Sequence, residues 1–149
     1  MNFVNPIEIL SLQYLEVSNI NDALLRQAKR RLFADIDLSD DCMLVYGGGK
    51  ISRTDAERKI NELEDKERVE FYHFIANYVE LNNFLVSGDI SFFSTYKEES
   101  IFKLPSFIHF ISPFFSEQYN RVSYHSFQNI KINVFKRIIT VLPIVTKDD

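Results

Sequence analysis

Three groups of residues in this chain invite a chemical reading, and each is tested by the spacing its chemistry needs. Gly47-Gly48-Gly49-Lys50 brings three glycines to a lysine, and backbone amides with an ammonium can cradle a phosphate. A phosphate loop also requires a glycine five positions before Gly49 and a hydroxyl residue after Lys50, but Leu44 and Ile51 stand there. A tight turn between two short apolar runs accounts for the glycines better. The histidines, His73, His109 and His125, have no second His, Cys or carboxylate following at i+3 or i+4, the spacing of a two-ligand helical metal motif. His73 and His109 are flanked by Tyr72, Phe74, Ile108 and Phe110, the setting of packed or rim histidines. Cys42 follows Asp41 and has no base partner evident in the sequence. The expectation is therefore no catalytic residue, no cofactor, no metal and no enzymatic activity.

Two further patterns suit recognition rather than catalysis. Leu24, Ala28 and Leu32 recur every four residues with Leu25 and Phe33 beside them, while Arg26, Lys29 and Arg30, with Arg31 at the edge, occupy the other face. That is an amphipathic helix with a basic face, able to contact an acidic protein or phosphates, or simply to be solvated. Leu104 to Ser116 contains no Asp, Glu, Lys or Arg. Phe107, Phe110 and Phe114 share a helical face there and Phe115 widens it, as in a buried central helix or an apolar docking surface. The candidate partner-binding residues are Arg26, Lys29, Arg30, Phe107, Phe110, Phe114 and Phe115.

These residues need elements to hold them. Asn5-Pro6-Ile7-Glu8 reads as a helix start with Asn5 as cap and Pro6 in the first position, running to about Leu12. Asp35, Asp37, Asp40 and Asp41 read as an acidic turn closing the basic helix, and Cys42 to Ser52 as a small hairpin. Thr54-Asp55-Ala56-Glu57 is a capping box. The apolar residues Ile60, Leu63, Phe71, Phe74, Tyr78, Leu81 and Leu85 then predict one long helix, or two broken near Asp65, ending at Gly88. Glu62 to Lys66 and Glu64 to Arg68 are i,i+4 ion pairs in the favourable order. Shorter helices are expected over 91–97, 98–112 and 116–128, the last two separated by Pro113. Residues 130–145 alternate weakly and suit strand or helix.

The chain has 149 residues, enough to bury about two-thirds of its unfolded surface without staples. With 46% hydrophobic and 26% charged residues it is of the globular class. A net charge of −4 makes nucleic acid a poor partner. The single cysteine rules out an internal disulfide and fits a reducing, cytoplasmic compartment. No signal peptide is visible at Met1 to Pro6, and no charge-free stretch reaches the roughly 20 residues of a membrane span. Composition divides the chain near residue 70. Up to Phe74 there are 14 acidic and 10 basic residues, against 7 of each afterwards, and 17 of the 21 aromatics begin at Phe71.

On three segments the first half resembles a J-domain, the helical hairpin of DnaJ-type co-chaperones. Asn5-Pro6-Ile7-Glu8-Ile9-Leu10-Ser11-Leu12 is similar to the family's opening helix, Ile20 to Leu32 to its basic second helix, and Ile60 to Tyr72 to the end of its third. The resemblance covers residues 5–74, about half the chain. The family's His-Pro-Asp tripeptide falls on Asp37-Leu38-Ser39 here, so the signature is absent. What the resemblance implies is a J-like scaffold without its activating trigger, its docking position surrounded by aspartates that a DnaK-type ATPase of like charge disfavours. The expected fold is mainly α, a J-like helical hairpin over 1–74 followed by an aromatic-rich helical region over 75–149 packed on it, as two regions or as one globular unit, with one small β-hairpin. The expected function is a non-catalytic protein–protein interaction or scaffold module. The runner-up is a divergent co-chaperone of a DnaK-type ATPase, and the third reading an enzyme or nucleotide-binding domain whose site is assembled in three dimensions.

Overall fold

A computed structural model describes residues 3–122 and Ile138. The chain divides into two compact units, Val4–Val79 and Met1–Phe3 with Glu80–Asp149. The helix carrying Phe71 and Phe74 continues to Asn77 before it ends. The protein is mainly helical with one small antiparallel hairpin and an aromatic-rich helical C-terminal region. No helix among the described residues is long and apolar enough to cross a membrane.

In the N-terminal unit, α1 (Pro6–Ile9) starts where its sequence says it should. The Asn5 side chain accepts from the backbone N–H of Ile7 and Glu8, and Pro6 fills the first position. It stops short of Leu12, at Leu10, and Ser11 takes a left-handed conformation with φ 57°. A 3-10 turn over Val17–Asn19 leads to α2 (Asp22–Leu38), capped by Asn21 Oδ1 accepting from Leu24 N at 2.8 Å.

The basic helix is longer than its sequence suggested. Asp35 and Asp37 lie inside α2, and only Asp40 and Asp41 are left for the turn. Carboxylates at a helix C-terminus oppose the macrodipole by about 0.3–1 kcal/mol each. Burial of Phe33 and Ile36 one turn apart offsets this, and the Arg53 guanidinium meets Asp37 at 3.2 Å.

Strand β1 (Met43–Tyr46) pairs antiparallel with β2 (Gly49–Ser52), Tyr46 opposite Gly49. Gly47 and Gly48 make the two-residue connection with φ of 60° and 80°. Positive φ at both positions defines the type I′ turn, whose twist matches the strands and which glycine enters without strain. Lys50 pairs with Asp41 across the base of the hairpin and holds that carboxyl below its usual range, assisted by the Met43 N–H.

Helix α3 (Arg53–Asn61) begins two residues earlier than the Thr54 box implied. The cap is Ser52, whose Oγ accepts from Asp55 N at 3.1 Å. A 3-10 turn at Glu62–Glu64 and a new cap at Asp65, which accepts from Glu67 N at 2.9 Å, separate α3 from α4 (Lys66–Asn77). This break removes the helical register for the expected Glu62–Lys66 and Glu64–Arg68 pairs; Glu62 instead pairs with Lys59 at 3.3 Å and with Arg68. Helix α1 packs on α4 and α3, around a core that includes Ile7, Ile60, Leu63, Phe71, Tyr72 and Ile75.

The C-terminal unit holds α5 (Val79–Ser87) from its second residue, α6 (Ser91–Thr95), a 3-10 turn at Ser100–Lys103 and α7 (Pro105–Arg121). The apolar periodicity through Tyr78 is interrupted, since that residue leaves helical geometry at φ −90°, ψ 82°. Gly88 stops α5 as expected. Its N–H donates to Phe84 O at 2.8 Å with φ +78°, and a Cβ there would press Gln118 and Val122 at 3.3 Å.

Two expectations fail in this unit. Residues 98–112 do not form one helix, because the chain is extended at Glu99 and α7 starts at Pro105. Nor does Pro113 divide two helices, for α7 runs through it. An internal proline costs about 3 kcal/mol. Phe107, Ile111, Phe115 and Gln118, at spacings of four, four and three, form a buried row across it, and burial of Phe107, Ile111 and Phe115 alone outweighs that cost at about 1.5–3 kcal/mol each. The expected strand or helix over 130–145, the end of the 116–128 helix and His125 lie outside the described residues, apart from buried Ile138.

Candidate functional site

Helix α2 carries the strongest candidate. Ion pairs satisfy six cations elsewhere in the N-terminal unit or at its inner side: Lys29 with Glu57, Lys50 with Asp41, Arg53 with Asp37, Arg58 with Asp55, and Lys59 and Arg68 with Glu62. Arg26, Arg30 and Arg31 are exposed and make no ion pair among the described residues. Arg26 and Arg30, at i and i+4, lie on neighbouring turns of one helix face, and Arg31 stands at its edge beside the groove between α1 and α2.

Lys29 does not belong with them. Its Nζ reaches Glu57 at 3.5 Å and Asn61 Oδ1 at 3.0 Å, tying α2 to α3. It also lies 5.7 Å from the Phe33 ring centre, and the Arg53 guanidinium stands 4.7 Å from the same ring. So the basic face splits: Lys29 positions α2, and Arg26, Arg30 and Arg31 remain available.

The apolar side of α2 is incompletely covered. Leu24, Leu25, Ala28 and Leu32 are half-buried, while Phe33 and Ile36 are buried. A groove of about 330 Å³ runs between α1 and α2, with Ile9, Leu10 and Leu12 facing Leu24, Ala28 and Leu32. On the other side Leu25 faces Ile60 and Leu63 across a groove of about 310 Å³, with Arg26 and Glu64 on its rim. Each is large enough for one or two apolar side chains, at the lower end of ligand-site volumes.

The aromatic candidates belong elsewhere. Phe107 and Phe115 are fully buried, which removes them from any docking surface. Phe115 packs on Phe84 at 5.0 Å, Phe92 at 5.8 Å and Phe93 at 6.0 Å, and Phe107 lies 5.9 Å from Phe102. Phe110 and Phe114 are half-buried and 5.9 Å apart, Phe114 standing edge-on to Phe3 at 5.3 Å. A charge-free run at helical spacing is here a core helix.

The residues first considered for chemistry are dispersed. His73 Nε2 lies 2.7 Å from Leu15 O and holds the loop before α2, and His109 is exposed on α7. Cys42 is exposed at φ 55°, its Sγ 3.9 Å from Ser39 O. No group of three or more His, Cys, Asp or Glu among the described residues could hold a metal ion.

Asn5, seen in the sequence only as a cap, is a buried hub. Besides capping α1, its Nδ2 donates to Tyr72 O at 2.9 Å and its backbone N–H to Tyr46 Oη at 3.2 Å, joining α1, α4 and β1. Tyr46 in turn bonds Glu8, and Tyr72 Oη donates to Glu62 at 3.0 Å; burial first, then these carboxylates, push both phenols far above their usual range. A polar residue at 0% exposure has no sequence signal beyond its capping position.

No known family model matches the chain, and neither a curated protein nor a solved structure does.

Proposed function

We propose that the chain is a non-catalytic protein–protein interaction module that engages its partner through α2. The observation that carries this reading is the set of three exposed guanidinium groups, Arg26, Arg30 and Arg31, without an ion pair among the described residues, on a helix whose leucines border open grooves. Arginines free of intramolecular carboxylates have not spent their charge-assisted hydrogen bonds, and an acidic partner can take them up. The overall charge of −4 makes this patch local and favours a protein over nucleic acid. The single cysteine suits a reducing, cytoplasmic setting.

The J-domain resemblance fits the same face, since the resembling family uses its basic second helix to dock. The tripeptide position, Asp37-Leu38-Ser39, spans the last turn and cap of α2 and lacks the family's residues, so a partner other than a DnaK-type ATPase is favoured. Co-chaperone activity is the second reading, carried by that sequence resemblance, and a stimulated-ATPase assay separates it.

The test is affinity capture from native cytosol at low and high salt, comparing the wild-type chain with the triple variant Arg26→Glu, Arg30→Glu, Arg31→Glu. A near-stoichiometric partner retained by the wild type and lost by the variant, with unchanged melting, is the expected result. Retention of that partner by the variant, or no partner at either salt, overturns the proposal.

A further inference from the structure

We draw no further inference here: the strongest candidate, the apolar groove between the start of α2 and the α3–α4 connection, lined by Ile20, Leu25, Leu63 and Val69 beside the exposed Val17, carries nothing because its rim charges Asp22, Lys66 and Glu70 select no occupant and nothing in the structure shows what covers it.

Discussion

The two units bury their cores by different means. In the N-terminal unit, side-chain caps at Asn5, Asn21, Ser52 and Asp65 define the helix starts, and ion pairs join α2 to α3 and brace the hairpin. In the C-terminal unit the N-cap residues of α6 and α7, Ile90 and Leu104, offer no side-chain cap, and at α6 Asp89 Oδ1 accepts from Ser91 N at 2.9 Å instead. Rings do the organising there. Phe84, Phe92, Phe93 and Phe115 have centroids 5.0–6.2 Å apart, and Tyr96 and Phe102 extend the cluster to Phe107. Directional polar contacts fix where elements begin and end, whereas a phenylalanine cluster fixes only that certain residues come together. The contrast extends to the surface: in the N-terminal unit Arg26, Arg30 and Arg31 are exposed and make no ion pair among the described residues, whereas in the C-terminal unit Phe107 and Phe115 are buried.

The sharpest way to break this comparison is to remove a ring. Phe115→Ala deletes a fully buried side chain contacting three other rings and should cost about 3–5 kcal/mol. Denaturant unfolding measures it, and a loss below about 1 kcal/mol would mean the cluster does not organise that unit. The polar counterpart is Asn5→Ala. It removes the α1 cap and strips a donor from the buried Tyr72 carbonyl, for an expected loss of about 2–3 kcal/mol. Asn5→Asp should retain the cap but set a buried carboxylate oxygen against the Tyr72 carbonyl in place of the donated bond, and so should cost at least as much.

Pro113→Ala has the opposite sign. The proline is exposed, so little packing is lost, and alanine supplies an N–H for the interior of α7. A gain of about 1–2 kcal/mol is expected, part of the roughly 3 kcal/mol that separates the residues in a helix interior. A loss would show that the packing of α7 depends on the proline ring.

The same contrast explains what could be read beforehand. Polar punctuation is local, so the cap at Asn5, the glycine turn at Gly47-Gly48 and the stop at Gly88 are visible in the residues that make them. Where two local signals competed, burial decided and the sequence reading erred. Asp35 and Asp37 read as a turn, yet burying Ile36 required another helical turn. Pro113 read as a break, yet the row from Phe107 to Phe115 required continuity. The basic face of α2 was legible as a pattern. That Lys29 is committed to Glu57 and Asn61 depends on α3, thirty residues downstream, and no spacing within α2 encodes it. Phe107, Phe110, Phe114 and Phe115 illustrate the limit from the other side, because core and docking surface share one periodicity.

Alkaline titration tests the polar side of the comparison most finely. Tyr46 and Tyr72 are phenols in the N-terminal unit whose pKa burial and adjacent carboxylates raise. A group with a raised folded-state pKa contributes stability that is fully present below its unfolded pKa, near 10, and lost as pH rises through the folded value. Above about pH 10 the unfolded chain releases phenolic protons that the folded chain keeps, so stability should fall by up to about 1.4 kcal/mol per pH unit for each tyrosine. Lysine deprotonation weakens ion pairs over the same range, so the wild-type slope alone assigns nothing. Tyr72→Phe supplies the control. It loses the bond to Glu62 and should be less stable at neutral pH by about 1 kcal/mol, yet its alkaline slope should be shallower by one tyrosine's share. Parallel curves for wild type and variant between pH 9 and 11 would show that Tyr72 ionises as readily folded as unfolded, and that the Tyr72–Glu62 bond is not held in a dry interior.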